Sequence, residues 1–261
     1  MASINKGHDI IGNIAIVKFG RDTKESEKKK FASDFLKKNE NVITVLEKTG
    51  KFKGRLRTQR TKYLAGEKNK EVLYKENGCI FRLNVDSCYF SPRLASERKE
   101  IAEQVMKGEN ILVLFGGVAP YAIVIAKLGK ASRIVSVELG RECNKYAEMN
   151  IRLNKVQDRI KLIQGDARKK LKLIRDKFDR IIMARPNLKD NFLDAAFPKI
   201  KKGGIMHYYG FYSEDDIGRL KELILDEALK VRKKIRILRF KKAGEIGVRR
   251  YRYRVDIKIL N

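Results

Sequence analysis

The chain has 261 residues, 43% of them apolar, enough for one large domain or for a medium and a small one with proper cores. Sixty lysines and arginines against 32 acids give a formal charge of +28, so the natural partner is a polyanion, and nucleic acid comes first. No apolar run reaches bilayer length, no signal-peptide core opens the chain, and three cysteines with two isolated histidines exclude a disulfide framework, a zinc site and a histidine triad; the reading is a reduced, cytoplasmic, metal-free, monomeric protein.

Residues 1–88 read as a small α+β module. The segment 10–19 is a turn and strand, and 24–38 is an exposed helix with Phe31 and Phe35 as its apolar points. A β-branched strand at 42–46 follows. The segment 52–64 reads as a strand whose cations alternate between faces, and 72–74 with 80–85 forms a hairpin across Asn77-Gly78. The basic stretch 55–62 has two readings: a solvated edge strand whose charges discourage aggregation, or a phosphate-contacting ribbon with one arginine directed to a reaction centre.

The second unit is expected over 89–261. Pro92 opens a helix running to about 106, stopped by Lys107-Gly108. The chain is organised around 111–139. An apolar strand ends at Gly116-Gly117, a helix runs over 120–128, and a second strand ends on the acid Glu138. Glycines let backbone approach a ligand closely, and a carboxylate at the next strand tip can accept from ribose hydroxyls. Asp166 ends a third strand, 160–165. A helix at 142–153 joins the second strand to the third. Beyond lie a strand at 178–183, a helix at 188–200, a turn at Lys202-Gly203-Gly204 and a strand at 205–211. A helix at 215–231 and two pairing strands, 235–240 and 251–259, complete the chain. The sum is an α/β fold: a Rossmann-like seven-stranded sheet, helices on both faces, one strand antiparallel, preceded by the small α+β domain.

The segment Tyr89-Phe90-Ser91-Pro92-Arg93-Leu94-Ala95-Ser96-Glu97-Arg98 resembles the Y-F-S-P-R-L-x-x-E-R motif of the archaeal and eukaryotic type of tRNA (guanine-37-N1)-methyltransferase. The stretch from Val113 to Tyr121 is similar to that family's D-x-F-A-G-V-G-P-F turn. Asn150-Ile151-Arg152-Leu153-Asn154-Lys155 and Gly203-Gly204-Ile205-Met206-His207-Tyr208-Tyr209 also look typical of it. The resemblance runs from about Asp9 to the C-terminus. It implies a class I S-adenosylmethionine-dependent methyltransferase domain behind a small RNA-recognition domain, with the anticodon stem-loop of tRNA as partner. A further elbow-binding domain of many members is expected to be lacking.

The resemblance places the general base on Glu97 and the arginine facing guanine O6 on Arg57. From the residue alone, Glu97 is equally an acid satisfying a helix start. Glu138 with Leu139 would hold the ribose hydroxyls, and Asp166 with Ala167 the adenine edge. Tyr89, Phe115, Gly116, Gly117, Val118 and Pro120 would complete the cofactor site. Arg55, Arg93, Arg98, Arg185 and Asn187 are the candidates for RNA contact, Arg93 and Arg98 alternatively for the cofactor carboxylate. Two positions depart from the family: Val113 stands in place of an Asp, and Ala184 in place of an Asn. A wyosine-pathway aminocarboxypropyl transferase on the same cofactor, and an RNA binder with a decayed cofactor site, are the competing readings.

Overall fold

The computed structural model describes residues 7–50, 54–184 and 189–261. The chain divides into two compact units, Met1–Pro92 and Arg93–Asn261.

In the N-terminal unit, β1 (His8–Ile11) and β2 (Ile14–Val17) form a hairpin, followed by α1 (Glu25–Lys38). Then β3 (Thr44–Lys48) pairs parallel to β2, and β4 (Thr61–Gly66) antiparallel to β3. The order is β1-β2-β3-β4. Helix α1 starts on Glu25 and Glu27 and ends on Lys37 and Lys38, charges that complement its dipole. Its apolar points Phe31 and Phe35 pack onto Ala15, Val17, Val45 and Leu64. A second hairpin, β5 (Glu71–Glu76) with β6 (Cys79–Asn84), turns on Asn77 (φ 49°) and Gly78 (φ 70°), the left-handed pair that a two-residue hairpin needs.

Of the strand expected over 52–64, only the part from Thr61 forms, as the start of β4, and residues 51–53 lie outside the described residues. Residues 54–57 form a turn with Gly54 at φ 62° and Arg57 at φ 56°, left-handed conformations that end extended backbone. Pairing resumes at Thr61. Between them the chain is pinned to the segment after β6: Gln59 Nε2 donates to Val85 O at 2.9 Å and Thr61 Oγ1 to Asp86 Oδ1 at 2.8 Å.

A 3₁₀ turn, Pro92–Leu94, spans the boundary, and α2 (Ala95–Glu103) is the first helix of the C-terminal unit. Alternation follows: β7 (Asn110–Leu114), α3 (Pro120–Leu128), β8 (Arg133–Glu138), α4 (Arg141–Leu153), β9 (Ile160–Gln164), α5 (Ala167–Leu173), β10 (Phe178–Met183). A short α6 (Leu193–Ala196), β11 (Ile200–Ser213), α7 (Ile217–Lys230), β12 (Ile235–Gly247) and β13 (Arg250–Ile259) complete it. The sheet order is β12-β13-β11-β10-β7-β8-β9, with β13 antiparallel to both neighbours and the other pairs parallel. One face buries Leu112, Leu114, Ile181, Met206, Tyr208 and Val255 with residues of α5, α6 and α7. On the other face α2 and α3 pack together.

Three local expectations change. Of the helix expected over 188–200, residue 188 lies outside the described residues and the rest shrinks to α6 and a 3₁₀ turn, Phe197–Lys199; Phe192 stands at φ 62°, and Pro198 cannot donate inside a helix. The turn at Lys202-Gly203-Gly204 lies inside β11, where it is a bulge: the register with β10 jumps from Phe178 opposite Ile200 to Arg180 opposite Ile205. Helix α5, capped by Asp166, is additional.

Candidate active site

Strand β7 lies between β8 and β10, where the strand order reverses, the usual place for a ligand in an open α/β sheet. Its C-terminal turn is a run of left-handed residues: Phe115 (φ 61°), Gly117 (φ 56°) and Ala119 (φ 65°). Phe115 and Ala119 are not glycines, and each such conformation costs about 1–2 kcal/mol. The turn is held by Gly116 N–H donating to Val137 O at 3.0 Å, and by Ala119 N–H donating to Gly116 O at 2.9 Å. A β-carbon at Gly116 would collide with Ser136 Oγ, a buried hydroxyl without a hydrogen-bond partner among the described residues. Pro120 begins α3, and Val118 is fully buried.

Glu138 closes the other side. Its Oε2 accepts from Gly117 N–H at 2.8 Å and its Oε1 from Gly140 N–H at 2.7 Å. Burial pushes its carboxyl above the ordinary range, and those two backbone bonds oppose the push. Two amides of α4 brace the turns from below. Asn144 donates to Glu138 O at 3.0 Å and to Gly140 O at 2.8 Å; Asn150 donates to Val118 O at 3.2 Å. Asp166 caps α5 by accepting from Lys169 N–H at 3.1 Å, with buried Ala167 beside it. Phe115, Gly116, Gly117, Val118, Pro120, Glu138, Leu139, Asp166 and Ala167 thus gather at the ends of the adjacent strands β7, β8 and β9. A glycine turn facing a preset carboxylate fits an adenosyl cofactor, since the carboxylate offers an acceptor pair for a ribose diol.

Glu97, in the first turn of α2, is 3% exposed. Three strands aim donors at it. Tyr209 of β11 donates to Oε2 at 3.2 Å, Arg254 of β13 donates to Oε2 at 2.8 Å, and Lys241 of β12 pairs with Oε1. The three occupy one row across the sheet, since Tyr209 pairs with Arg254 and Arg254 with Lys241. A bulge between Ile237 and Arg239 sets that phase on β12. Glu100, one turn along α2, takes Arg254 at 2.6 Å, Arg239 at 3.1 Å and Lys241. Burial raises its carboxyl, but the bonds from Lys241 and Arg254 prevail and bring it down to about 2.

The neighbouring row is polar as well. His207 pairs across with Asp256, its Nδ1 at 2.6 Å from Oδ1, while its Nε2 meets Arg180 NH1 at 2.7 Å. A guanidinium only donates, so Nε2 accepts and the proton sits on Nδ1. Burial holds the imidazole below its ordinary pKa, against the pull of Asp256.

The remaining sequence candidates are placed as follows. In the N-terminal unit, the Arg57 guanidinium lies 5.4 Å from the centre of the Tyr89 ring, and Arg55 is exposed in the same turn. In the C-terminal unit, Arg93 is exposed on the 3₁₀ turn, whereas Arg98 is 1% exposed and lies 5.8 Å from the Tyr121 ring centre. The Tyr121 hydroxyl donates to that of Tyr209 at 3.0 Å. Arg185 and Asn187 lie outside the described residues. Sequence reasoning missed Tyr209, Lys241, Arg254, Asn144 and Asn150. The signal available for Arg254 was the alternation of arginines and tyrosines in 250–254, which puts the three arginines on one face of β13 and the two tyrosines on the other.

Comparison with known proteins finds a match to the TRM5/TYW2 methyltransferase domain over residues 72–237 and to the TYW2 N-terminal domain over residues 1–69. The chain is 36% identical over 252 residues to the tRNA (guanine(37)-N(1))-methyltransferase Trm5b of Pyrococcus abyssi, covering 96% of this chain and 74% of that one. It is 34% identical to the tRNA (guanine(37)-N(1))/4-demethylwyosine(37)-methyltransferase Taw22 of Nanoarchaeum equitans, covering 97% and 99%. The crystal structure of Trm5b from Pyrococcus abyssi superposes with a TM-score of 0.88 at 36% identity, over 98% of this chain and 75% of that one.

Proposed function

The chain belongs to the TRM5/TYW2 methyltransferase family, and on that premise we propose how its residues share the work of methylating guanosine 37 of tRNA. It is an S-adenosylmethionine-dependent tRNA (guanine-37-N1)-methyltransferase of mixed α/β fold. When bound, S-adenosylmethionine supplies a methyl carbon made electrophilic by its sulfonium. Glu138 would accept from the ribose hydroxyls, Asp166 and Ala167 would meet the adenine edge, and the turn from Phe115 to Pro120, with Leu139 and Tyr89, would shape the rest.

Guanine N1 carries a proton and is a poor nucleophile. Glu97 would take that proton, a contribution of typically ~10²–10⁴ in rate. The observation that carries this assignment is a buried carboxylate aimed by donors from three separate strands. Burying a carboxylate among cations is expensive, so its retention there supports a role beyond stability. Arg57 would stabilise the negative charge that develops on O6. Its stacking on Tyr89 holds the planar guanidinium in one orientation. Arg98, being buried, suits the cofactor carboxylate better than an RNA phosphate. Arg55 and Arg93, both exposed, suit phosphates, and Arg185 and Asn187 are proposed for the guanine on sequence grounds alone.

The partner segment is the anticodon stem-loop, and the enzyme acts as a cytoplasmic monomer, a placement suited to three buried cysteines that form no disulfide among the described residues. The test is incubation of unmodified tRNA transcript with cofactor, followed by nucleoside mass spectrometry; 1-methylguanosine at position 37 is the expected product. A second reading is favoured by the dual-specificity relative matched along 99% of its length. Transcript carrying 4-demethylwyosine at position 37 tests it. The added mass also separates a methyl from an aminocarboxypropyl group.

A further inference from the structure

The row containing His207 and Asp256 has no part in the roles proposed above, yet its side chains are hydrogen-bonded as fully as those of the row that faces Glu97. Arg254 is wholly buried, and its planar guanidinium is shared among three carboxylates. NH1 reaches Glu97, and NH2 reaches Glu100 and also donates to Asp256 Oδ2 at 3.1 Å; Nε lies 3.0 Å from Asp256 Oδ1, a charge contact without a hydrogen bond among the described residues. Asp256 therefore holds the guanidinium through NH2 and by charge, on the edge away from the nitrogen that touches Glu97. Because the group is planar, a grip on that edge fixes the direction in which NH1 points.

Asp256 is in turn fixed. His207 Nδ1–H donates to its Oδ1, and His207 is fixed by Arg180 on the other ring nitrogen. Arg180 is anchored bidentately by Glu109, at 2.8 and 3.0 Å, and by Gln104 O at 2.9 Å. Arg239 stands opposite Asp256 from β12, although its ion pair is with Glu100. The result is an unbroken series Glu109, Arg180, His207, Asp256, Arg254, Glu97, running across three strands and ending on the carboxylate of α2.

We propose that Asp256 and His207 are positioning residues for the proton transfer, acting on Glu97 through Arg254. This rests on Glu97 being the base. A base must meet N1 in near-attack geometry, and a misplacement of about 1 Å can cost ~10²-fold in rate. Of the two donors on Oε2, Arg254 is the nearer and the charged one, at 2.8 Å against 3.2 Å for Tyr209. The guanidinium holds Oε2 in place, and Asp256 holds the guanidinium.

Steady-state kinetics on Glu97→Gln, Asp256→Asn, His207→Asn and His207→Gln test it, with cofactor binding by calorimetry and melting temperature recorded for each. Asp256→Asn is expected to lower kcat about 10- to 100-fold while KM for tRNA and the cofactor Kd stay within about twofold. An asparagine at 207 can place its amide donor where Nδ1 was; a glutamine places it near Nε2 instead. His207→Asn is therefore expected to keep at least about tenfold more turnover than His207→Gln. This pair carries the test should Asp256→Asn fail to fold. Equal turnover in the two His207 variants, or a folded Asp256→Asn with unchanged kcat, overturns the positioning role. A near-normal Glu97→Gln overturns the base assignment itself, and is distinguishable because it would be active whatever the other variants do.

Discussion

Lys241 on β12 stands directly opposite Arg254 on β13, and the two cations close on the two oxygens of one buried carboxylate, Glu97. Two cations from one rung of a sheet meet an acid from a helix packed over it. Sheet register, not sequence proximity, brings them together, since 144 and 157 residues of chain numbering separate each from Glu97.

Replacement of Glu97 by Gln keeps the shape and removes the proton acceptor. Turnover should fall on the order of 10²–10⁴-fold, with tRNA affinity retained. Single-turnover methylation beside a filter-binding titration measures both; normal turnover would place the base elsewhere.

Glu138→Gln turns one acceptor oxygen into a donor facing a backbone N–H, from Gly117 or from Gly140. Leaving such a group unmatched costs about 1–3 kcal/mol, so cofactor affinity should drop by about tenfold or more. Calorimetric titration with S-adenosylmethionine decides it, and an unchanged Kd would remove Glu138 from the cofactor site.

Ala119→Gly should stabilise the protein by roughly 1 kcal/mol, because Ala119 holds φ 65° where glycine rests without strain. Gly116→Ala should do the opposite, since the added methyl meets Ser136 Oγ. Urea unfolding of the pair reads the two signs. Equal midpoints would show that the turn relaxes freely.

Stability should fall as pH drops below neutrality. Burial depresses His207 in the folded protein, so the unfolded chain takes up a proton near pH 6.5 that the folded one refuses. Stability from this group is full above 6.5 and declines as pH falls toward the depressed value. Glu100 adds a second decline in the same direction, from its ordinary 4.5 down to about 2. Charges facing His207 are Arg180, Asp256 and Arg254. Unfolding free energies between pH 7 and 5 should slope upward with pH in the wild type and flatten in His207→Asn; parallel slopes would show that His207 does not carry the effect.

Binding of tRNA should weaken steeply with salt. The +28 charge implies many phosphate contacts, each releasing counterions. A loss on the order of 10³-fold between about 50 and 200 mM is expected for six or more contacts. A flat response would mean that the surface charge does not grip RNA.

The sequence by itself determined the parallel α/β sheet, the glycine turn, the acid at the tip of β8 and the motif holding Glu97. Each is written in contiguous residues whose period or spacing is local, so it survives without knowledge of neighbours. It failed where backbone conformation departs from pattern: the left-handed residues at Gly54 and Arg57 break a strand that charge alternation suggests, and the bulge at 202–204 continues a strand where the glycines read as a turn. What only the tertiary structure decided is the company Glu97 keeps. Tyr209, Lys241 and Arg254 look like ordinary strand residues in the chain. They become a set of three donors only when β11, β13 and β12 pair in one register, because a shift of a single residue would turn every one of them to the opposite face.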